Sequence, residues 1–272
     1  MENVILRIKY GLSMKKSSEI PQKYYVPALE KGLDVLEVLA AAQVPQSLSD
    51  LARRLGRTSS ELFRMLNALE RRRYIERDSV SGKYRLTLRL YQLAHTHSPV
   101  EKLLRPATML MRTLAEKIKE SCHVSILDGH RLVVLAQADS PAIYRFSVEV
   151  GSAFSPLCTA SGRLLLAHCA EEEFRHFCET SEEYRRWNGT ARKKLAAQLD
   201  EVRRRGFSTA HNEPIIGIRS YAVLVGKPEI NLAAALAVAS LDMRGKKDNG
   251  RQILEGLKTT AARINCALGL LP

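Results

Sequence analysis

Between Gln46 and Arg85 the spacing of apolar residues changes twice. Leu48, Leu51, Ala52 and Leu55 recur at helical intervals behind Ser47, with Asp50 in the first turn, and this predicts a helix over 47–55. Gly56 interrupts it. A second helix opens on Thr58, Ser59 or Ser60, any of which can satisfy the free backbone N–H groups at a helix start. Its apolar face is Leu62, Met65, Leu66 and Leu69, while Arg57, Ser59, Ser60, Phe63, Arg64 and Asn67 take other directions. From Tyr74 the period drops to two. Tyr74–Arg77 and Lys83–Leu86 alternate as strands on either side of the turn residues Asp78–Gly82. Two short helices joined at a glycine form a helix-turn-helix whose second member enters a DNA major groove, and the hairpin behind it is a wing. The candidate DNA contacts are Ser47, Arg57, Ser59, Ser60 and Arg64 on the helices. Lys83 and Arg85 on the wing can reach flanking phosphates.

The flanks extend the pattern. Pro27 suits a first helical turn, and Leu29, Leu33, Leu36, Val38 and Leu39 give a helix over 27–42 a face to pack under the helix-turn-helix. Residues 1–23 show no clear periodicity and are expected to form a disordered extension, in which Met14 is a second candidate start of translation. Helices over Leu88–Ala94 and Val100–Lys119, interrupted by Pro99 and Pro106, read as a linker leading into a second domain. His95 and His97 lie two apart in it with no acidic or thiol neighbour, so they read as solvated residues rather than metal ligands.

Beyond the linker, strands are predicted over Val124–Leu127, Leu132–Leu135 and Ile143–Val150. Helices follow over Thr159–Ala170 and Ala191–Arg205, the latter ended by Gly206. Further strands are expected over Phe207–His211, Ile218–Val225 and Leu232–Ala239, with a closing helix over Asn249–Leu268. Strand pairs, then helices, then more strands argue for an α+β domain with an antiparallel sheet. The expected division is an extension over 1–23, a winged helix-turn-helix domain over 24–91, a helical linker over 92–105 and a second domain over 106–272.

Composition narrows the partners. A net charge of +13 over 272 residues fits a polyanion such as double-stranded DNA. No apolar run is long enough to span a bilayer, and Arg7 and Lys9 break the apolar start that a signal peptide would need. Five cysteines without a C-x-x-C pair or metal spacing point to reduced thiols, a cytoplasmic location and no metal site. No nucleophile elbow, Walker loop, dinucleotide fingerprint or zinc-protease helix is present, so neither an enzyme nor a cofactor is expected. Ser161, in Thr159–Gly162, lacks the glycines of a catalytic serine. A small-residue turn opening a helix explains it, and such a turn presents N–H groups to an anion such as a carboxylate.

The run Tyr25–Leu36, the helix-turn-helix, Gly82–Leu86, Gly151–Arg163 and Gly206–Val225 together resemble the IclR family of bacterial transcriptional regulators, over about nine tenths of the chain. The resemblance implies that the second domain is a GAF-like effector-binding domain. It implies a pocket lined by the turn at Ala160 and Ser161, by Ala210, His211, Ile218 and Ser220, and by Ala237 and Ala239. The chain departs from the family at several of these positions. An acidic pair is common where Ala210 and His211 stand, a cysteine at Ser220, and serines at Ala237 and Ala239. Fewer polar groups on that wall imply a larger or more aromatic ligand than a small keto acid. In the second helix Ser59 replaces a basic or polar reader, while Glu61 can accept from a cytosine amino group or balance Arg57 and Arg64. Arg64 matches the family's usual arginine.

The implied function is a ligand-responsive regulator that binds operator DNA as a homodimer or homotetramer and senses a small organic acid. The competing readings are an enzyme carrying a DNA-binding head, and a constitutive architectural DNA binder whose sensor domain no longer takes a ligand.

Overall fold

The computed structural model describes residues 5–7, 26–42, 44–96, 99–230, 232–242 and 249–270. The chain divides into two compact units, Leu12–Ser98 and Pro99–Pro272, the latter joined by Met1–Gly11. Strand β1 (Ile5–Arg7) pairs in parallel with Arg145–Ser147 of the larger unit. The expectation of a disordered extension is therefore corrected at these three residues, whose backbone finds partners on an open strand edge.

The smaller unit holds α1 (Pro27–Ala41), α2 (Leu48–Leu55), α3 (Ser59–Arg71), the hairpin β2 (Ile75–Arg77) and β3 (Tyr84–Leu86), and α4 (Arg89–Thr96). Its core is Val35, Val38, Leu39, Leu51, Leu62, Leu66, Ile75 and Tyr84. Gln46 and Tyr84 exchange backbone hydrogen bonds of 3.0 and 2.8 Å, which fastens the entry to α2 onto the wing. One expectation fails. Leu29 and Leu33 are 58% and 45% exposed, because the face of α1 that meets the helix pair is set by Val35, Val38 and Leu39 on the other side of the helix.

The larger unit opens with α5 (Pro99–Ile118), which runs through Pro106 without a break. Leu103, Ala107, Met111 and Leu114 pin it to the sheet, and the Thr108 hydroxyl donates to the Leu104 carbonyl at 2.8 Å beside the proline. The expected end of the linker at 105 thus falls inside a helix. His97 lies outside the described residues, as does the side chain of His95.

After α5 come β4 (Cys122–Asp128), β5 (Arg131–Ala138), β6 (Arg145–Ser147) and β7 (Ala153–Phe154). Helices α6 (Ala160–His168), α7 (Glu171–Thr180), α8 (Glu182–Arg186) and α9 (Gly189–Arg205) follow, then β8 (Phe207–His211), β9 (Ile218–Lys227), β10 (Leu232–Leu241) and α10 (Gly250–Ala267). The expected strand over 143–150 is shorter: β6 leaves the main sheet to meet β1, and β7 joins the sheet instead. That sheet is antiparallel, in the order β7-β5-β4-β10-β9-β8.

The two faces of the sheet pack different helices. Leu236 and Val238 of β10 join Val223 and Val225 of β9 against α5 and α10. Ala235 and Ala237 turn to the other face, toward Leu164 and Leu165 of α6 and Leu195 and Leu199 of α9. Helix α6 comes unusually close to the chain before it, since a Cβ at Gly162 would stand 2.2 Å from the backbone of Pro156. Only glycine fits there, and that approach positions the start of α6 over the sheet.

Candidate functional site

Both helices of the pair in the smaller unit begin on reciprocal caps. The Asp50 N–H donates to the Ser47 hydroxyl at 3.1 Å, while the Asp50 carboxylate accepts from the Ser47 N–H and hydroxyl at 3.3 and 2.6 Å. Thr58 and Glu61 repeat the arrangement at 3.4 and 3.1 Å, so Thr58 is the residue that opens α3. Gly56, at φ 61, closes α2 in the left-handed conformation that favours glycine.

Two ion pairs then hold the helices to α1: Glu61 to Lys31 at 2.8 Å, and Arg57 to Asp34 at 3.3 Å. The Lys31 bond, with those from Thr58, brings the Glu61 carboxyl down to about 2. Glu61 therefore caps and clamps. It does not balance Arg57 and Arg64, as one sequence reading had it, because α1 supplies the partners of both Glu61 and Arg57.

Leu62 and Leu66 are fully buried and set the inner side of α3. At about 100° per residue the opposite side carries Ser60, Arg64, Asn67 and Arg71, all exposed, with Phe63 flanking it, while Ser59, exposed in the first turn, falls beside Leu66 in azimuth. Asn67 and Arg71 are absent from the sequence-derived set, although their spacing from Arg64 carries them onto its face. On the wing Lys83 is exposed, and Arg85 is paired across the strands with Glu76. Of the seven expected DNA contacts, Ser60 and Arg64 stand exposed on this face, Lys83 is exposed on the wing, and Ser59 is exposed at the start of α3 beside it. Ser47 serves as a cap, while Arg57 and Arg85 carry ion pairs.

The larger unit contains a pocket of about 640 Å³ of non-atom space, part of it open to solvent. Its floor is Ser220 of β9 with Ala237 and Ala239 of β10, whose small side chains leave the volume open. His123, Leu132, Val134, Phe146 and Phe154 form its walls. Thr159, Ala160 and Ser161 at the start of α6 face Glu213, Pro214, Ile215 and Ile218 across it. The Thr159 hydroxyl accepts the Gly162 N–H at 3.1 Å, and the Arg163 N–H bonds the Thr159 carbonyl at 3.0 Å. The N–H groups of Ala160 and Ser161 are the ones a helix start leaves for an anion.

Arg163, 3% exposed, gives its charge to Glu213 at 2.7 Å and further bonds to the carbonyls of Leu157 and Thr209 at 3.4 Å each. The acid on the pocket wall is thus neutralised from behind. His123 is crowded by protein, and burial takes its pKa from 6.5 to about 4, so the pocket presents a neutral imidazole.

Six of the eight expected effector residues, Ala160, Ser161, Ile218, Ser220, Ala237 and Ala239, line this pocket. Ala210 and His211 do not. Ala210 is buried in the core below α6, and the next side chain along β8 points the opposite way, where His211 bonds Asp242 at 3.2 Å. Arg219 is paired with that same Asp242 at 3.3 Å. The acidic pair common in the family is missing at Ala210 and His211, and the acid on the pocket wall is Glu213. His123 and Phe146 escaped the sequence reading because they lie on strands outside the quoted motifs, and Phe154, inside the run Gly151–Arg163, was not singled out there. Among the described residues no group of three or more His, Cys, Asp or Glu is placed to hold a metal, and no helix is long and apolar enough to cross a membrane.

Comparison with known proteins matches residues 97–266 to the bacterial transcriptional regulator IclR C-terminal family, and residues 28–79 to the IclR helix-turn-helix domain. Among curated relatives, the HTH-type transcriptional regulator KdgR of Dickeya chrysanthemi is 28% identical over 97% of this chain and 90% of its own length. The HTH-type transcriptional repressor AllR of Escherichia coli K12 is 24% identical over 89% and 90%. Among solved structures, a transcriptional regulator from Rhodococcus sp. RHA1 superposes with a TM-score of 0.70 at 27% identity, covering 90% of this chain and 99% of that one. An IclR homolog from Microbacterium hydrocarbonoxydans, solved with 4-hydroxybenzoate, shares the fold at a TM-score of 0.73 and 22% identity, covering 90% and 100%.

The neutral histidine makes a pH prediction. The unfolded chain takes up a proton at His123 near its ordinary value of 6.5, whereas the folded chain waits until about 4. Acidification between those values should therefore cost stability, and urea denaturation across that window should show the slope. A His123→Gln chain should lack this part of it.

Proposed function

The chain belongs to the IclR family of bacterial transcriptional regulators, and from that premise we propose a ligand-responsive repressor or activator that binds operator DNA as a homo-oligomer and senses a small aromatic acid. It is a DNA-binding regulator in a family of regulators rather than enzymes. The observation that carries the sensor reading is the pocket's division of labour. Its α6 start offers backbone N–H groups to a carboxylate, Phe146 and Phe154 flank an apolar body, and neutral His123 can bond a hydroxyl. The Microbacterium relative's 4-hydroxybenzoate is a ligand of that kind. Such a pocket also weighs against an architectural DNA binder that has lost its sensor.

On the DNA side, Ser59, Ser60, Arg64 and Asn67 face base edges and Lys83 the flanking phosphates. Homodimerisation is supported by a second apolar stripe. Val26, Leu29 and Leu33 line the outer side of α1, and Leu90, Tyr91 and Leu93 are exposed on α4. Pairing them would present two copies of α3 to half-sites about one helical turn apart. Effector binding changes operator affinity by its preference for one arrangement of those paired heads over another.

Three outcomes are expected. Arg64→Ala should weaken operator binding in a gel-shift titration by about 1–3 kcal/mol while the thermal melt stays put; unchanged affinity would remove α3 from the groove. Leu29→Glu with Leu33→Glu should shift the sedimenting species to a smaller assembly and lower operator affinity with it. Ala160→Trp should fill the pocket, with overpacking that typically costs roughly 1–3 kcal/mol of stability. That chain should bind operator normally yet no longer respond to 4-hydroxybenzoate or the related acids that shift wild type. A folded variant with a full response would place the effector elsewhere.

A further inference from the structure

The exposed face of α3 ends at Arg71, but the positive charge continues. Arg71, Arg72, Arg73, Arg77 and Arg89 line one cleft between the end of α3, β2 and the start of α4, about 1190 Å³ of non-atom space including open solvent. Of the two acids there, Glu76 is held by Arg85. Among the described residues no carboxylate lies within ion-pair distance of Arg71, Arg72, Arg73 or Arg89. Arg77 is held in place by its bond to the Gly82 carbonyl at 3.2 Å and by the Tyr84 ring 5.6 Å below its guanidinium.

Fold stability does not account for this cluster. Arg71 and Arg72 do complement the dipole at the end of α3, but Arg89 stands in the first turn of α4, where a cation opposes it. Arg73 adopts φ 62, a left-handed conformation open to glycine and costly for any residue with a side chain. Two of the cations therefore sit where the backbone disfavours them. The guanidinium groups also repel one another until an anion enters. A cleft lined by planar forks and continuous with the recognition face through Arg71 fits a run of phosphates rather than a single one.

We propose that this arginine cleft receives the phosphodiester backbone of DNA flanking the operator, outside the base pairs that α3 faces. The proposal rests on the reading of α3 as the groove-entering helix. It gives the chain a DNA footprint longer than its base-reading contacts, with affinity there set by charge and indifferent to sequence.

The test uses the full chain and an operator selected from random duplexes, as the minimal site and as the same site extended by roughly ten base pairs, about one helical turn, on each side. Arg72→Gln combined with Arg89→Gln removes two charges. Arg73→Gly removes one while freeing the backbone, so it should melt no lower than wild type and its loss of affinity cannot be assigned to unfolding. On the extended duplex the double variant, lacking two charges on each of the two chains of a dimer, should show a salt dependence shallower by about four in log–log slope, so that its loss between 50 and 200 mM salt is about a hundredfold smaller than wild type's. On the minimal duplex it should match wild type. Equal slopes on both duplexes would overturn the proposal. So would an equal loss on the minimal duplex, which would place these arginines inside the operator contact. Unchanged DNA binding with lost transcription in a reconstituted polymerase assay would overturn it too, assigning the cleft to an acidic protein segment. Wild type failing to bind any duplex would instead sink the reading of α3 on which the proposal stands.

Discussion

Strand β10 lies in the interior of its sheet with helices over both faces, so each of its residues must suit one of two neighbours. Period-two alternation sorts them. Leu236 and Val238 fill the side toward α5 and α10, and Ala235, Ala237 and Ala239 take the other. A large side chain at Ala237 or Ala239 would have removed the pocket. Leaving that volume open forgoes about 0.8 kcal/mol for each buried methylene withheld, which a core built only for stability would have kept. The space persists because α6 cannot descend into it: its first turn is already seated on the backbone of Pro156 at Gly162. The cavity is thus a product of two local constraints, small residues on the floor and a fixed roof.

The smaller unit works by a different rule. Its two key helices are short, and isolated helices of that length are marginal in water. Reciprocal caps at Ser47–Asp50 and Thr58–Glu61, the glycine at position 56 and the clamps from Lys31 and Asp34 supply what length does not. All of these act on the ends and inner side of the helices. The outer line of Ser60, Arg64, Asn67 and Arg71 is left clear of the fold's own bonds, which a surface meant for another molecule requires.

How much of this could be read in the sequence followed the range of the interactions involved. The helix pair, the wing and the span of β8 were legible because caps, turns and periodicity act over a few residues. The continuous α5 was not, since Pro106 is a local break signal overridden by burial of Leu103, Ala107 and Met111 on a sheet formed much later in the chain. Helices α7 and α8 were likewise missed. The pocket could be located through residues near 160, 218 and 237, yet His123 and Phe146 reach it only through packing between distant parts of the chain. His211 failed for a one-residue reason: neighbours on a strand point to opposite faces, and Asp242 takes the outer one.

Helix α6 has one property that bears on how a ligand could be felt at a distance. Every residue from Ala160 to Ala167 is buried, so the helix has no solvent side onto which a disturbed turn could relax. An ordinary amphipathic helix can absorb a pull at its first turn by tilting into water. This one is wedged between α9 and the sheet and behaves as a stiff rod in a close-fitting sleeve. A pull on the backbone of Ala160 and Ser161 would be shared with the rest of the helix and with Arg163, whose guanidinium holds Glu213. Under the proposed sensing role, such a part would pass a displacement of its first turn on as a displacement of the whole helix.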